Sequence, residues 1–178
     1  TAGDKGDTGA QGTSGTSGAS SWTPVLINVT QSSTDAAKFT KTDGTQGQYD
    51  ASVRSRQGFV DGCYVSFSIP TSSAAMTEYG AEIGLTSTPD SNDSWETIQY
   101  SFYIAGNNWQ IWEGSTNTSV GGTFNDSMTF TITYDGSNIK YYQDSSLLRT
   151  VARPIGNALY LDTSFCLLYT SDAADDTP

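Results

Sequence analysis

Apolar and polar side chains alternate with a period of two along much of the chain between residues 22 and 165. Alternation carried by β-branched and aromatic residues indicates antiparallel strands that bury one face. We find no convincing amphipathic helical pattern, so the sequence predicts an all-β protein. The clearest inward-facing positions are Val65, Phe67 and Ile69; Tyr100, Phe102 and Ile104; and Met128, Phe130, Ile132 and Tyr134.

A meander of three strands is the best-defined element. It spans Phe130–Val151, with a hairpin signal at Asp135-Gly136 and a polar turn over Gln143–Ser146. Ten or more short strands separated by polar turns predict an antiparallel β-sandwich. The further predicted strands are Val25–Val29, Tyr49–Ser55, Ala81–Leu85, Trp109–Glu113 and Leu159–Phe165.

Residues 1–20 carry glycine at every third position, from Gly3 to Gly18. This period is typical of a collagen triple helix, because three chains meet at an axis where only glycine fits. We therefore expect a short collagen-like stalk and a homotrimer. A flexible linker rich in Gly, Ser and Thr is the alternative.

The other end of the chain has a different character. Residues 166–176 resemble a translated sequencing-library adapter, which predicts that residues 166–178 are not native and that the head covers 21–165. A natural acidic tail is the alternative.

The charge balance excludes several function classes. The chain has 8 basic and 19 acidic residues, a net charge of −11 and no histidine. An acidic surface repels phosphates and anionic lipids, and no apolar run approaches the ~20 residues of a membrane span. We expect no nucleic-acid partner and no membrane insertion. Without histidine, Ser-His-Asp triads and imidazole metal sites are impossible.

The meander, followed by the strand at Ala158–Asp162, resembles the concanavalin A-like lectin/glucanase jelly roll. It is similar to heads that follow collagen-like repeats in phage tail fibres, giant-virus surface proteins and some bacterial surface proteins. The resemblance implies a jelly-roll head on a virion surface or outside the cell.

The chain departs from these related heads at two points. They usually carry Asn-Gly where this chain has Asp144-Ser145, so we expect a longer or more strained turn. They also continue into a closing strand where this chain has the adapter-like segment. Its loss should leave an unpaired sheet edge.

Catalysis is not expected. Glycoside hydrolysis needs two facing carboxylates, and the Glu-x-Asp-x-x-Glu pattern of the related glucanases is missing here. We interpret Glu78, Glu82 and Glu113 as solvated surface acids. The oxygen-rich groups at Asp90–Asp93 and Asn125-Asp126 are interpreted as turn caps rather than calcium ligands, so no metal or cofactor is expected.

Binding is better supported, because sugar rings dock on aromatic faces. Neighbouring residues in a strand point to opposite faces of the sheet. Trp112 therefore points outward if Ile111 is buried, Tyr103 points outward if Phe102 is buried, and Tyr142 points outward if Tyr141 is buried. We predict that these three outward aromatic residues, Trp112, Tyr103 and Tyr142, form the ligand-binding set. The alternative is that they lie under loops or in the trimer interface.

The sequence thus predicts the head of a trimeric fibre or surface appendage that recognises a host-surface glycan or similar receptor. A purely structural trimerisation cap for the stalk is the alternative. A carbohydrate-active enzyme is a third and weaker possibility.

Overall fold

The computed structural model describes residues 22–45, 47–69, 80–89 and 94–166. These residues form thirteen strands and one 3-10 turn, Trp95–Thr97, and they contain no α-helix. The predicted all-β class is confirmed. The strands are β1 Pro24–Ile27, β2 Val29–Gln31, β3 Phe39–Lys41, β4 Tyr49–Ser55, β5 Cys63–Phe67, β6 Gly80–Thr86, β7 Tyr100–Ala105, β8 Asn108–Glu113, β9 Thr116–Thr123, β10 Phe130–Tyr134, β11 Asn138–Gln143, β12 Ser146–Ala152 and β13 Tyr160–Cys166.

Two sheets make up the sandwich. The larger has seven strands in the order β1-β4-β13-β6-β7-β8-β9, and the smaller has four in the order β12-β11-β10-β5. Strands β2 and β3 form a separate ribbon. Every pairing among these strands is antiparallel, as the alternation with one buried face predicts.

The core lies between the inner faces of the two sheets. Phe102 of the larger sheet and Phe130 of the smaller sheet are fully buried, with ring centroids 4.8 Å apart. Trp109 of the larger sheet and Tyr141 of the smaller sheet both pack edge-on against Phe102. Of the predicted inward residues, Phe102, Ile104, Phe130, Ile132 and Tyr134 are buried in the core, whereas Val65, Phe67, Ile69, Tyr100 and Met128 are only partly buried and pack against it. Phe124, which the alternation did not single out, is also buried in the core.

Strands β10, β11 and β12 form the predicted meander. The second turn has two residues, so it is not longer than usual, but Asp144 adopts a φ of 54° in the left-handed region. Two hydrogen bonds to Thr129 hold it there: Asp144 N donates to the Thr129 carbonyl at 2.7 Å, and Thr129 N donates to the Asp144 carboxylate at 3.0 Å. The expected strain is present, without an extra turn residue.

Strand β13 lies inside the seven-stranded sheet, paired with β4 on one side and β6 on the other. The expected unpaired edge is therefore not beside β13; the edge strands are β1 and β9 in the larger sheet and β12 and β5 in the smaller one. Cys166, the first adapter-like residue, belongs to β13, where it is buried opposite Tyr49. The rest of that segment, 167–178, and the predicted stalk lie outside the described residues.

Within the described part of the chain, no helix is long and apolar enough to cross a membrane.

Candidate functional site

The candidate site lies on the outer face of the seven-stranded sheet, which we define as the face turned away from the smaller sheet. Strand β8 follows the predicted parity: Trp109 and Ile111 are buried in the core. Gln110 and Trp112 alternate with them and are only partly buried on the outer face. Tyr103 lies directly opposite Gln110 on β7, so it shares this face.

Three aromatic side chains, Trp95, Tyr103 and Trp112, form a cluster that we call the aromatic cluster. The Trp112 ring has its centroid 6.1 Å from that of Tyr103 and 6.1 Å from that of Trp95, and both contacts are edge-on. Trp95 comes from the 3-10 turn, whose first residues are capped by Ser94 Oγ accepting from Glu96 N. All three rings remain partly exposed, so part of the aromatic surface is available to a ligand.

Two amide side chains border this cluster. Gln110 Oε1 accepts hydrogen bonds from Trp112 Nε1 at 3.1 Å and from Asn117 Nδ2 at 3.0 Å. Asn117 Oδ1 accepts from Ser119 N at 2.8 Å, which fixes the amide at the start of β9. Gln110 Nε2 makes no hydrogen bond to another described residue, so it can donate to a ligand.

A shallow groove of about 360 Å³ continues from these amides along β8 and β9. The strands approach closely, because a Cβ atom on Gly121 would lie 2.6 Å from the Trp109 carbonyl oxygen. Besides Gly121, the groove is lined by side chains or backbone of Asn108, Gln110, Asn117, Ser119 and Thr123. Mostly polar walls beside an aromatic cluster suit a hydroxylated ligand better than an apolar one.

The hydroxyl group of Tyr103 is hydrogen-bonded to Tyr49 of β4. Tyr49 Oη donates to Tyr103 Oη at 3.2 Å and accepts from Gly80 N at 3.2 Å. Burial and this bond to Tyr103 raise the pKa of Tyr49 far above its usual range. The phenol therefore stays neutral and positions the Tyr103 ring against Trp112.

The structure corrects our interpretation of Glu82. Its side chain is only 2% exposed, on the outer face of β6, where Ser101 Oγ donates to Oε1 at 2.5 Å. Asp162, also buried, lies on the same face of β13, opposite Gly84 and diagonal to Glu82. Burial, with a smaller contribution from the Asp162 charge, raises the pKa of Glu82 to about 7. The two acids come from distant parts of the sequence, so a search for an acid pair on one strand could not find them.

Glu113 was also expected to be a solvated surface acid, and this is wrong as well. It forms a two-point ion pair with Arg149 of β12, with distances of 2.7 Å to Nε and 2.9 Å to Nη2. This pair joins the two sheets at one end. Glu78 lies outside the described residues.

Tyr142 does not belong to the site. It lies on β11 in the smaller sheet, between Thr131 and Leu147, and faces away from the buried Tyr141. Its outward parity was right, but the sandwich places it on the opposite side of the molecule from Trp112 and Tyr103. Parity along one strand cannot show which sheet the strand joins.

Among the described residues, no group of three or more His, Cys, Asp or Glu side chains is arranged to hold a metal ion. Asn125 caps its own turn, since its Oδ1 accepts from Ser127 N at 3.0 Å. The other candidate calcium segment, Asp90–Asp93, lies outside the described residues.

Several solved structures of known proteins superpose on this chain. The SPRY domain of human HERC1 superposes with a TM-score of 0.51 at 12% identity, covering 74% of this chain and 81% of that one. The carbohydrate recognition domain of Emp46p in its potassium-bound form reaches a TM-score of 0.48 at 12% identity, covering 83% and 82%. Stonustoxin gives a TM-score of 0.46 at 13% identity and covers 65% of this chain, which spans only 20% of the stonustoxin chain.

No protein-family model matches the sequence, and no curated protein matches it. At 12% identity the comparison with the HERC1 SPRY domain bears on the fold alone. The head is an antiparallel, all-β sandwich of the jelly-roll type, as its resemblance to concanavalin A-like domains implied.

Proposed function

We propose that this protein is a glycan-binding head and that its ligand lies on the outer face of the seven-stranded sheet. The observation that carries the proposal is the position of Trp112. Its ring is held between Trp95 and Tyr103, beside the amides of Gln110 and Asn117 and next to the polar groove. An aromatic platform next to amides is the chemistry that recognises a sugar ring by its CH face and its hydroxyls.

We further propose that binding occurs without catalysis. Glu82 and Asp162 lie on the same face but are 2% and 3% exposed, so neither carboxylate can reach a glycosidic bond without rearrangement. Glu82 already accepts the Ser101 hydroxyl. These acids are better explained as part of the support beneath the site.

The setting in which the head acts follows from the repeat in residues 1–20. Glycine at every third position supports a trimeric collagen-like stalk, and a stalk with a binding head is typical of a fibre or surface appendage. Three heads on one stalk would bind a glycan-coated surface with avidity even if each single site were weak. We propose a virion-surface or extracellular location, with a host-surface glycan or similar receptor as the partner.

The test is a glycan array probed with the full chain, with Trp112→Ala as the perturbation and Tyr142→Ala as the matched control. Loss of the aromatic platform should weaken binding by more than about 1 kcal/mol, about fivefold. The control removes an aromatic ring from the opposite side and should bind normally. Circular dichroism should show that both variants remain folded.

Equal loss in both variants would place the binding surface elsewhere. Absence of glycan binding by the wild-type trimer would favour the alternative, a structural cap that aligns three collagen-like chains.

A further inference from the structure

A hydrogen-bonded contact fixes where the stalk joins the head. Thr23 N donates to Gln57 Oε1 at 2.9 Å, and Arg56 N donates to the Thr23 carbonyl at 3.0 Å. Strand β1 then begins at Pro24, opposite Ser55. The last glycine of the repeat, Gly18, is five residues before Thr23, which an extended chain spans in about 17 Å. The chain length therefore limits Gly18 to about 17 Å from Thr23, which is bonded to Arg56 and Gln57 between β4 and β5.

Exposed apolar side chains concentrate at this same end of the sandwich. Val60, in the β4–β5 loop, is 46% exposed, and Tyr64 on β5 and Ile155 in the β12–β13 loop are each 70% exposed. We call these three residues the end patch. Three of the five large apolar side chains that are exposed in the described residues are thus found in the β4–β5 loop, the start of β5 and the β12–β13 loop, and contiguous exposed apolar surface is typical of protein–protein contacts.

The loops that carry the end patch touch one another. Phe59 and Leu159 form a bridge with hydrogen bonds of 2.8 and 2.9 Å, which joins the β4–β5 and β12–β13 loops. At Gly136, a Cβ atom would lie 3.3 Å from the Asp61 carbonyl oxygen and 3.9 Å from Ile155 Cδ1. Ile155 and Asp61, the residue that follows Val60, therefore both lie against Gly136. Tyr64 is on the neighbouring strand, opposite Thr133.

We propose that the end patch is the contact between heads in a homotrimer, so that its partner is a second copy of this chain. The inference rests on the trimeric stalk of the proposed function. Three chains that meet at one axis hold their heads together at the end where the stalk joins, and this is the end where apolar side chains are exposed. Leu147, the second residue of β12, is 55% exposed at the opposite end of the sandwich and serves as the matched control.

Photo-crosslinking of the full chain tests the surface directly. Benzoylphenylalanine in place of Ile155 should give chain-to-chain products whose crosslinked peptides map near Val60 and Tyr64, and in place of Leu147 it should not. Crosslinks from position 155 only to residues 1–21 of the same chain would overturn the proposal. Equal interchain products from both positions would overturn it too.

Sedimentation of the full chain gives the energetic test. Ile155→Glu should weaken trimerisation at least about tenfold, because the substitution places a carboxylate against the apolar Val60 and Tyr64 of the neighbouring chain, whereas Leu147→Glu should not change it. Near-ultraviolet circular dichroism should confirm folded heads in both variants. A wild-type chain that is monomeric at every concentration would overturn both the stalk and the patch. A wild-type trimer with a collagen signal that Ile155→Glu leaves intact would overturn the patch alone.

Discussion

Replacing Glu82 with glutamine should stabilise the head above neutral pH. In the folded state the carboxyl is 2% exposed, and its pKa rises from the ordinary 4.5 to about 7, chiefly because burial penalises the charged form. The glutamine side chain would keep an oxygen to accept the Ser101 hydroxyl, which now donates to Glu82 Oε1. The substitution therefore removes a buried charge without removing a hydrogen bond.

The magnitude follows from the difference between the folded and unfolded pKa values. Below pH 4.5 both states hold the proton, and ionisation costs the fold nothing. Between pH 4.5 and about 7 the unfolded state releases its proton first, so the stability of the wild type falls as pH rises. Above pH 7 the full cost of about 3 kcal/mol remains, at about 1.4 kcal/mol per pKa unit. Between pH 5 and 8 the advantage of the glutamine variant should grow by about 2 to 3 kcal/mol.

The assay is urea unfolding followed by tryptophan fluorescence at pH 5, 6, 7 and 8, all above the isoelectric point of about 4.1. The exposed Glu96 provides the control, since Glu96→Gln should leave the free energy of unfolding unchanged at each pH. In the Ser101→Ala variant, the free energy of unfolding should fall more between pH 5 and pH 8 than it does in the wild type, because the ionised Glu82 loses its hydrogen-bond donor. A difference between Glu82→Gln and the wild type that does not vary with pH would refute the reasoning.

Two further substitutions test the stalk and the sheet. Gly9→Ala should lower the melting temperature of a collagen-like circular dichroism transition, because a methyl group does not fit at the triple-helix axis; a chain with no such transition would contradict the predicted stalk. Gly84→Ala should destabilise the head by at least about 2 kcal/mol in urea unfolding, because its Cβ would lie 2.0 Å from the Tyr100 carbonyl oxygen; wild-type stability would show that β6 and β7 can separate at that point.

The alternation of apolar and polar residues was sufficient to predict which large aromatic side chains of each sheet face the core. Phe102, Trp109, Phe130 and Tyr141 are buried as their parity indicates, because a period-two pattern places alternate residues on opposite faces regardless of which strands pair. Strand β9 was missed because its sequence, from Thr116 to Thr123, is polar and contains two adjacent glycines. Its place in the sheet depends on pairing with β8, which a single strand's pattern does not encode.

The residues of the candidate site differ in how far the sequence could have indicated them. Gln110 had a usable signal, since it is two residues from Trp112 and must share its face. No sequence signal placed Trp95 at the site, because it reaches Trp112 from a loop and not from a neighbouring position on a strand.

The sequence by itself determined that the chain is an acidic, all-β head behind a glycine-periodic segment, and that Trp112 and Tyr103 point outward. Those properties follow from composition and local alternation, which need no knowledge of distant contacts. Only the tertiary structure decided that Tyr142 lies on the opposite side and that Glu82 is buried near Asp162. Strand order sets which faces meet, and strand order comes from pairings between residues far apart in the chain.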